Sequence, residues 1–507
     1  MADSSTATRP RLFPSTRFSM AIACFLGSMV VYMLRTSLSM AIVCMVAKNE
    51  TGGGTANRCA PTTPLKKDEI LEQLSPNKTT AVVGEFDWST ETSGTVLGAF
   101  FYGYLFSQVA GGMIAARFGG KRVILATMLF SSIFTLMSPV AARFHYMALV
   151  ILRAAIGFLQ GAVFPAMHTM WSVWAPPQES SVLTSVSYAG TQFGNIIVLP
   201  LGGFLCQYGP DGGWPSIFYL LGLIGIVWCA LWQLMSSDRP ANHPRISETE
   251  KHYIISSQEA AHGKAAAKPP PVPWGKLLTS RAVWACWIGH IAGDWGAYTM
   301  LVSMPSFLKD VLGLKLETLG LLAAVPYIAY FLVINLGGFL SDFIRSRGLL
   351  STLNMRRAAM VLALGGQGLF LVLSAYCGCG QDALVIFYLT VGMALSGLQF
   401  SGFVVNYLDI APPFSGTIMG IGNTLSCLGG IVSPILSSMI VTDATQLQWQ
   451  TVMWITAAIL FIGATVFCVF AKGEVEPWAK AEGTAVELQT LSGKHSDEDA
   501  VPLKEGL

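Results

Sequence analysis

The chain contains twelve apolar runs of about 20 residues each, and this feature limits the fold more than any other. About 20 apolar residues in a helix cross the hydrocarbon core of a bilayer, and a helix satisfies its own backbone groups there. Only 12% of the residues are charged, against about 25% in soluble domains. The sequence therefore predicts an all-α membrane protein with 12 transmembrane helices. The runs fall at approximately 18–46, 93–114, 123–143, 146–169, 183–206, 215–236, 282–308, 318–340, 358–378, 383–405, 416–440 and 450–471.

The runs divide into two sets of six, separated by a polar, Pro-rich segment that predicts a linker. A charged tail follows the last run and predicts disorder. The predicted parts are an N-terminal segment 1–17, a first half 18–236 with a long loop 47–90, a linker 237–281, a second half 282–471 and a tail 472–507.

An internal repeat supports two related halves. "GGMIAARFGGKRV" follows the second run and "GGFLSDFIRSRG" follows the eighth, with Gly112 and Gly338 separated by 226 residues (338 − 112). Parallel six-helix halves describe the major facilitator fold, and the two stretches resemble its loop signature. Asp342 is present in the second copy, whereas the first copy has Arg117 and Gly119 but Ala116 in place of the acid.

The distribution of Lys and Arg predicts the orientation. The short loops on the side of the N-terminus carry most of the basic residues, so this side is expected to be cytoplasmic, together with both termini. The loop 47–90 then lies in the lumen or outside the cell. It holds two glycosylation sequons, at Asn49 and Asn77. Asn77 is the better acceptor, because Asn49 lies next to a membrane run.

Two arginines lie inside the apolar runs, where a charge is costly and usually functional. Arg35 and Arg153 have no acid within one or two turns on their own helices. A mobile anion is a natural partner for such a cation, and we predict that both side chains bind an anionic substrate. The alternatives are a structural ion pair with Asp294 and, for Arg153, a position near the outer interface.

Asp294 is the acid that lies deepest in a run, and it is a candidate for ion coupling. It can carry a proton, hold a sodium ion or pair with an arginine, and the sequence leaves these possibilities open. Tyr298 is a candidate hydrogen-bond donor to the anion. His168, near the cytoplasmic end of the fourth run, is either a titrating gate or a satisfied terminal histidine.

Other classes of protein are excluded or disfavoured. The chain has no P-loop, so an ATP-driven pump is not expected, and no constellation of an enzyme is present. A net charge of +2 gives no nucleic-acid footprint. We expect no cofactor and no metal site, although H⁺ or Na⁺ is a possible coupling ion, and we expect a monomer. The cysteines in apolar runs, including Cys44 and Cys206, are expected to be buried thiols without a disulfide framework.

Several stretches resemble the organic anion and phosphate transporter family of the major facilitator superfamily, closest to its sialin members. They include "FFYGYLFSQVAGG", "VFPAMHTMWSVWAPPQESS", "FGNIIVLPLGG" and "NYLDIAPPFSGTIMGIGNT", and the resemblance runs through all 12 spans. It implies that Arg35 contacts the anionic substrate, that Arg153 belongs to the same polar centre and that His168 is the histidine of the family.

The chain departs from the family pattern at functional positions. Ile156 and Gln160 stand where sialin-like members have two acids in the fourth span, so the acid implied in proton coupling is absent. Gly293 stands where the vesicular glutamate transporters have an arginine, and Tyr407 replaces a histidine. Gln160 resembles the nucleotide and phosphate transporting members and is included as a coupling position.

These features predict a secondary active transporter of a small anion that works by alternating access. The candidate substrates are an organic carboxylate, such as sialate or an acidic amino acid, and phosphate. The alternatives are a sodium-dependent phosphate cotransporter and an anion receptor without turnover. The lysosomal, vesicular and plasma membranes all stay open as locations.

Overall fold

The computed structural model describes residues 10–46, 84–88, 90–262, 271–312, 316–378, 380–442 and 445–480. In this part of the chain, 11 helices are long and apolar enough to cross a membrane. The helix Arg281–Leu312 has 32 residues and a more polar sequence, and we number it span 7. Asn49, Asn77 and most of the loop 47–90 lie outside the described residues, as does the tail beyond residue 480.

Each predicted apolar run corresponds to one span, and the protein has the predicted major facilitator fold. Spans 4, 9 and 10 are interrupted helices, and span 9 contains a π-helical turn at Val361–Gly365. In chain order, spans 1 to 12 comprise Thr16–Met45, Thr90–Phe118, Gly120–Phe144, Tyr146–Gly161 with Val163–Trp174, Ser180–Tyr208, Trp214–Met235, Arg281–Leu312, Leu316–Ser346, Thr352–Met360 with Gly366–Ala375, Asp382–Ser396 with Phe403–Ile410, Ser415–Ile440 and Gln446–Phe470.

A glycine lies at the interruption of each of spans 4 and 10. Gly161 ends the first segment of span 4, and a Cβ atom there would lie 2.8 Å from the backbone oxygen of Tyr104 in span 2. Gly397 begins the 3₁₀ turn of span 10, where a Cβ atom would lie 3.2 Å from the backbone oxygen of Tyr330 in span 8. The two tyrosines are 226 residues apart (330 − 104), the same separation as Gly112 and Gly338. The same close approach of helices therefore occurs in both halves.

The segment 237–281, predicted as a linker, contains a helix at Glu248–His262 that packs against the first half. Its Glu250 accepts hydrogen bonds from the backbone N–H groups of Thr16 and Arg17, both at 3.0 Å, and so caps span 1. The fully buried guanidinium of Arg17 also pairs with Glu179 at 2.5 Å and with Glu250 at 3.0 Å. Two acids satisfy this cation, which ties the linker to spans 1 and 5.

The expectation for Cys44 and Cys206 is wrong, because these cysteines form a disulfide between spans 1 and 5. Their Cα atoms are 6.1 Å apart, although 162 residues separate them in the chain. Both lie at helix ends on the side opposite the N-terminus, which is the side that the charge distribution assigns to an oxidising compartment. The apolar sequence around each cysteine gave no sign that these two helix ends meet.

Candidate functional site

Arg35 lies in span 1 and faces a cage of aromatic rings at the centre of the molecule. Its guanidinium carbon is 4.8 Å from the ring centroid of Phe100, 5.0 Å from that of Phe101 and 5.1 Å from that of Tyr104. The ring of Tyr32 is 5.6 Å away. Ring faces attract a cation but do not neutralise its charge. Among the described residues no carboxylate forms an ion pair with Arg35, and Asp294 pairs elsewhere.

Spans 2 and 4 hold two rings of this cage in place. Gly157 of span 4 lies against the backbone of Phe100, with no room for a side chain between them. Phe100 and Tyr104 are stacked with their ring centroids 5.3 Å apart. These rings were not predicted as site residues, although the run "FFYGY" combines aromatic side chains with the glycine that allows close packing of helices.

Arg153 is buried, with 2% of its surface exposed, and it holds the backbone of span 1. Its Nη1 donates to the backbone oxygen of Leu34 at 3.3 Å, and its Nη2 donates to that of Arg35 at 2.9 Å. Burial at this position excludes the alternative of a side chain that reaches to the outer interface. Arg153 therefore positions Arg35, and its uncompensated charge adds to the positive field of the site.

Asp294 and Tyr298 lie on span 7, on the side of the centre that the second half provides. Both Arg35 and Asp294 act electrostatically on the hydroxyl groups of Tyr32 and Tyr298. Both tyrosines are thus close enough to the cation of the first half and to the carboxylate of the second to interact with each electrostatically. A hydroxyl in this place can donate a hydrogen bond to a bound carboxylate or phosphate.

Asp294 has a neighbour that was not predicted as a site residue. The Nε2 of His290 lies 3.4 Å from the Oδ2 of Asp294, one helical turn away. The Nδ1 of the same imidazole lies 3.1 Å from the hydroxyl of Tyr407 in span 10. Spacing of four residues on one helix face is a signal that could have identified His290 from the sequence.

His168 is fully buried between the two halves. Its Nε2 lies 2.9 Å from the backbone oxygen of Val404 in span 10, and its Nδ1 lies 2.8 Å from the hydroxyl of Tyr188 in span 5. Both ring nitrogens therefore have partners in the neutral imidazole. The side chain joins the halves directly, on the side of the centre that faces the N-terminus.

Gln160 is fully buried in span 4, and neither its Oε1 nor its Nε2 has a hydrogen-bond partner among the described residues. Gly293, the other departure in sequence, lies against the side-chain amide oxygen of Gln399. A larger residue at position 293 would have to displace Gln399.

The loop-signature residues lie where the two halves meet, on the side of the molecule that carries the N-terminus. A Cβ atom on Gly112 would lie 2.5 Å from the backbone oxygen of Gly416 in span 11. Asp342 accepts hydrogen bonds from the N–H groups of Ser181 at 3.3 Å and Val182 at 2.7 Å, which begin span 5. A carboxylate is favoured at the N-terminus of a helix. Ala116 in the first copy cannot provide the equivalent contact to span 11.

Arg117 and Gly119 complete the first copy of the signature. Arg117 is exposed and lies over the ring of Phe118 at 5.5 Å. Gly119 has a φ of 96°, a left-handed conformation that favours glycine, and it ends span 2. A side chain there would meet the carboxylate of Asp238, which accepts a hydrogen bond from the N–H of Lys121 at 2.8 Å.

Sequence comparison agrees with this architecture. The model of the Major Facilitator Superfamily matches residues 24–434. The chain is 60% identical to an uncharacterized transporter, slc-17.2, of Caenorhabditis elegans over 95% of this chain and 99% of that protein. It is 40% identical to human sialin, covering 92% of this chain and 91% of sialin. It is 34% identical to human vesicular glutamate transporter 2, covering 93% and 76%.

Solved structures share the fold at low sequence identity. The proton:xylose symporter XylE aligns with a TM-score of 0.63 at 15% identity, covering 90% of this chain and 97% of XylE. The fucose:proton symporter FucP of E. coli aligns with a TM-score of 0.53 at 14% identity, covering 88% and 98%. The chain belongs to the Major Facilitator Superfamily, in the family of sialin and the vesicular glutamate transporters. It is a multi-pass membrane transporter and not an enzyme.

Proposed function

We propose that the protein transports a small anion through the centre of the molecule and that Arg35 binds the negative charge. The observation that carries this proposal is the guanidinium of Arg35, which has four aromatic rings around it and no carboxylate partner among the described residues. A buried cation without a fixed counter-ion favours a mobile one. Arg153 and Tyr298 support the same anion through positive field and hydrogen bonding. The candidate anions are sialate, an acidic amino acid and phosphate.

Alternating access fits the contacts between the halves. Three contacts join the halves at the centre or on the side of the molecule that carries the N-terminus. They are His168 with Val404, Asp342 with Ser181, and Gly112 with Gly416. This side is cytoplasmic in the proposed topology, so in the present conformation these contacts lie between the central site and the cytoplasmic side. Transport then requires these contacts to separate as the halves rock about the site.

Uptake into liposomes that contain the purified full-length protein tests the proposal. Labelled sialate, L-glutamate and inorganic phosphate are offered separately, with the driving force supplied by pH, sodium or membrane potential in turn. We expect saturable uptake of at least one anion under one driving force. Binding of an anion without uptake under any of these conditions would favour the receptor alternative, and uptake of phosphate that requires sodium would favour the phosphate cotransporter.

A further inference from the structure

Three polar side chains form a connected group beside the central site, and the proposed transport leaves their role open. Asp294 has 24% of its side-chain surface exposed, whereas the side chain of His290 behind it has only 4% exposed. Tyr407 lies deeper still and is fully buried. The Phe403 ring stacks on the imidazole with ring centroids 4.5 Å apart and fixes its plane. The carboxylate is therefore the most accessible of the three groups, and the tyrosine is the most buried.

The atoms of this group suit the storage of one proton. In the neutral imidazole with its proton on Nε2, this N–H is directed at the Asp294 carboxylate. The Nδ1 then accepts a hydrogen bond from the Tyr407 hydroxyl. The pair of His290 and Asp294 then has a charge of −1. One added proton makes the pair neutral overall, whether it resides on the carboxylate or on the ring. A proton can reach the partly exposed carboxylate without a change of fold.

The group is poorly suited to sodium. Hard cations prefer several oxygen ligands, and transporter sodium sites use backbone carbonyls that an unwound helix sets free. Span 7 is an unbroken helix through His290 and Asp294, so its carbonyl oxygens there are used within the helix. Next to Asp294, the imidazole of His290 provides nitrogen atoms and not the oxygen ligands that sodium prefers. Among the described residues, no cluster of three or more His, Cys, Asp or Glu side chains is present.

Charge on this pair is communicated to the anion site. The Asp294 carboxylate and the Arg35 guanidinium both act on the hydroxyls of Tyr32 and Tyr298. A negative charge on Asp294 repels an anion at Arg35, and a proton removes that repulsion. By linkage, an anion that binds better to the protonated protein raises the affinity of the pair for the proton by the same factor. The titratable groups that interact electrostatically with the pair are Tyr32 of span 1, His168 of span 4, Tyr298 of span 7, Tyr330 of span 8, Tyr407 of span 10 and Cys427 of span 11. Arg35 of span 1 interacts with Tyr32 and Tyr298.

We propose that His290 and Asp294 together form the proton-binding site of the transporter, that the coupling ion is H⁺, and that Tyr407 positions the imidazole. This inference rests on the proposed anion transport. It assigns to span 7 of the second half the coupling that Gln160 of span 4 cannot perform, because an amide does not titrate.

Two modes of flux separate coupling from binding. Liposomes containing the full-length protein are loaded with a pH-sensitive dye, and labelled sialate, L-glutamate and phosphate are offered with and without a pH gradient. Exchange of labelled for unlabelled anion at equal pH needs no net proton movement. The variants are His290→Gln, Asp294→Asn, Asp294→Glu and Tyr407→Phe. His252→Gln, an exposed histidine on the linker helix, is the matched control.

We expect His290→Gln and Asp294→Asn to lower pH-driven uptake at least tenfold while exchange stays within about threefold of the unmodified protein. Asp294→Glu, which keeps a titratable carboxyl, should recover part of the pH-driven uptake. Tyr407→Phe should shift the pH midpoint of uptake, and proton movement should remain coupled to anion uptake. His252→Gln should behave as the unmodified protein. Sodium should not change the anion uptake of either protein.

Unchanged pH-driven uptake in both His290→Gln and Asp294→Asn would overturn the inference and leave the anion transport standing. Equal loss of both flux modes, in variants that are monodisperse in detergent, would also overturn it, because it would show a structural role. If His290→Gln does not fold, the two variants of Asp294 decide the question. Loss of pH-driven uptake in Asp294→Asn with partial recovery in Asp294→Glu would support the inference, and equal uptake by the two would overturn it. Absence of every flux in the unmodified protein would overturn the proposed function and this inference together.

Discussion

The Nε2 of His168 in span 4 lies 2.9 Å from the backbone oxygen of Val404 in span 10. This contact joins the two halves at interrupted helices that occupy equivalent places in the repeat. The carbonyl of Val404 follows the 3₁₀ turn of span 10 at Gly397–Ser401. The imidazole is thus part of the closure between the central site and the side of the molecule that carries the N-terminus. Opening on that side requires the contact of His168 with Val404 to break.

Gly420→Leu should hinder this closure. A Cβ atom at Gly420 would lie 2.5 Å from the backbone oxygen of Gln108 and 3.1 Å from the Cα of Val109, so a leucine forces spans 2 and 11 apart. We expect anion flux to fall at least tenfold with normal amounts of protein in the membrane. Gly203→Leu is the control, because a Cβ atom at Gly203 meets nothing within 4 Å. Equal fluxes in the two variants would contradict the closed contact.

Arg35→Ala should abolish anion binding. A charged hydrogen-bonded contact contributes about 3 kcal/mol, which corresponds to about a hundredfold in affinity. Arg35→Lys should restore little, because an ammonium group cannot reproduce the planar bidentate fork of a guanidinium. Labelled-anion uptake and binding measure both effects, and Arg239→Ala, at an exposed arginine, serves as the comparison. Wild-type uptake by membrane-inserted Arg35→Ala would rule out this anion site.

Gln160→Glu should introduce a second pH dependence. The side chain is fully buried and its amide atoms have no partners among the described residues, so a carboxyl there enters a poorly solvated space on the helix that carries Arg153. We expect uptake to acquire or steepen a pH dependence between about pH 5 and 8. Gln160→Met has a similar length and cannot titrate, so its pH profile should match that of the unmodified protein. Coincident profiles of all three proteins would argue against this prediction.

The ion pairs of Arg143, at the end of the molecule opposite the N-terminus, should persist at acidic pH. Arg143 pairs with Glu85 and with Asp211, each at 2.9 Å, and its hydrogen bonds hold the pKa of both carboxyls below their usual range. Groups with a lowered pKa in the folded state stabilise it above their ordinary pKa and lose this contribution as the pH falls through the folded-state value.

Arg143→Ala should therefore lower the thermal midpoint by similar small amounts at pH 7 and pH 5, and the difference should shrink as the pH falls below the usual range of a carboxyl group. Thermal unfolding in detergent across this range measures the difference. Arg347→Ala, at an exposed arginine, should show no such pattern. A difference that grows between pH 7 and pH 5 would contradict the assigned pairs.

Cys206→Ser should destabilise the protein by about 2–4 kcal/mol, because the disulfide to Cys44 restricts the unfolded chain over 162 residues. Peptide mapping under non-reducing conditions should identify the linked pair in the unmodified protein. Cys229→Ser, at a buried free cysteine, is the control for loss of a thiol alone. Equal thermal midpoints for the two variants, or free thiols at positions 44 and 206, would disprove the link.

The sequence by itself determined the fold class, because 12 apolar runs can satisfy their backbone groups in lipid only as helices. It also determined the repeat, through the glycines at 112 and 338, and it singled out Arg35 and Asp294, because charges are rare in such runs. These properties are local, or repeat at a fixed spacing along the chain.

Tertiary structure decided which of these groups meet. The cage around Arg35 combines spans 1 and 2, the group of His290, Asp294 and Tyr407 combines spans 7 and 10, and the disulfide joins spans 1 and 5. In lipid, apolar surfaces do not choose partners by hydrophobicity, and small residues and polar contacts select the helices that pack. That selection depends on shape across helices distant in sequence, so no pattern within one span contains it.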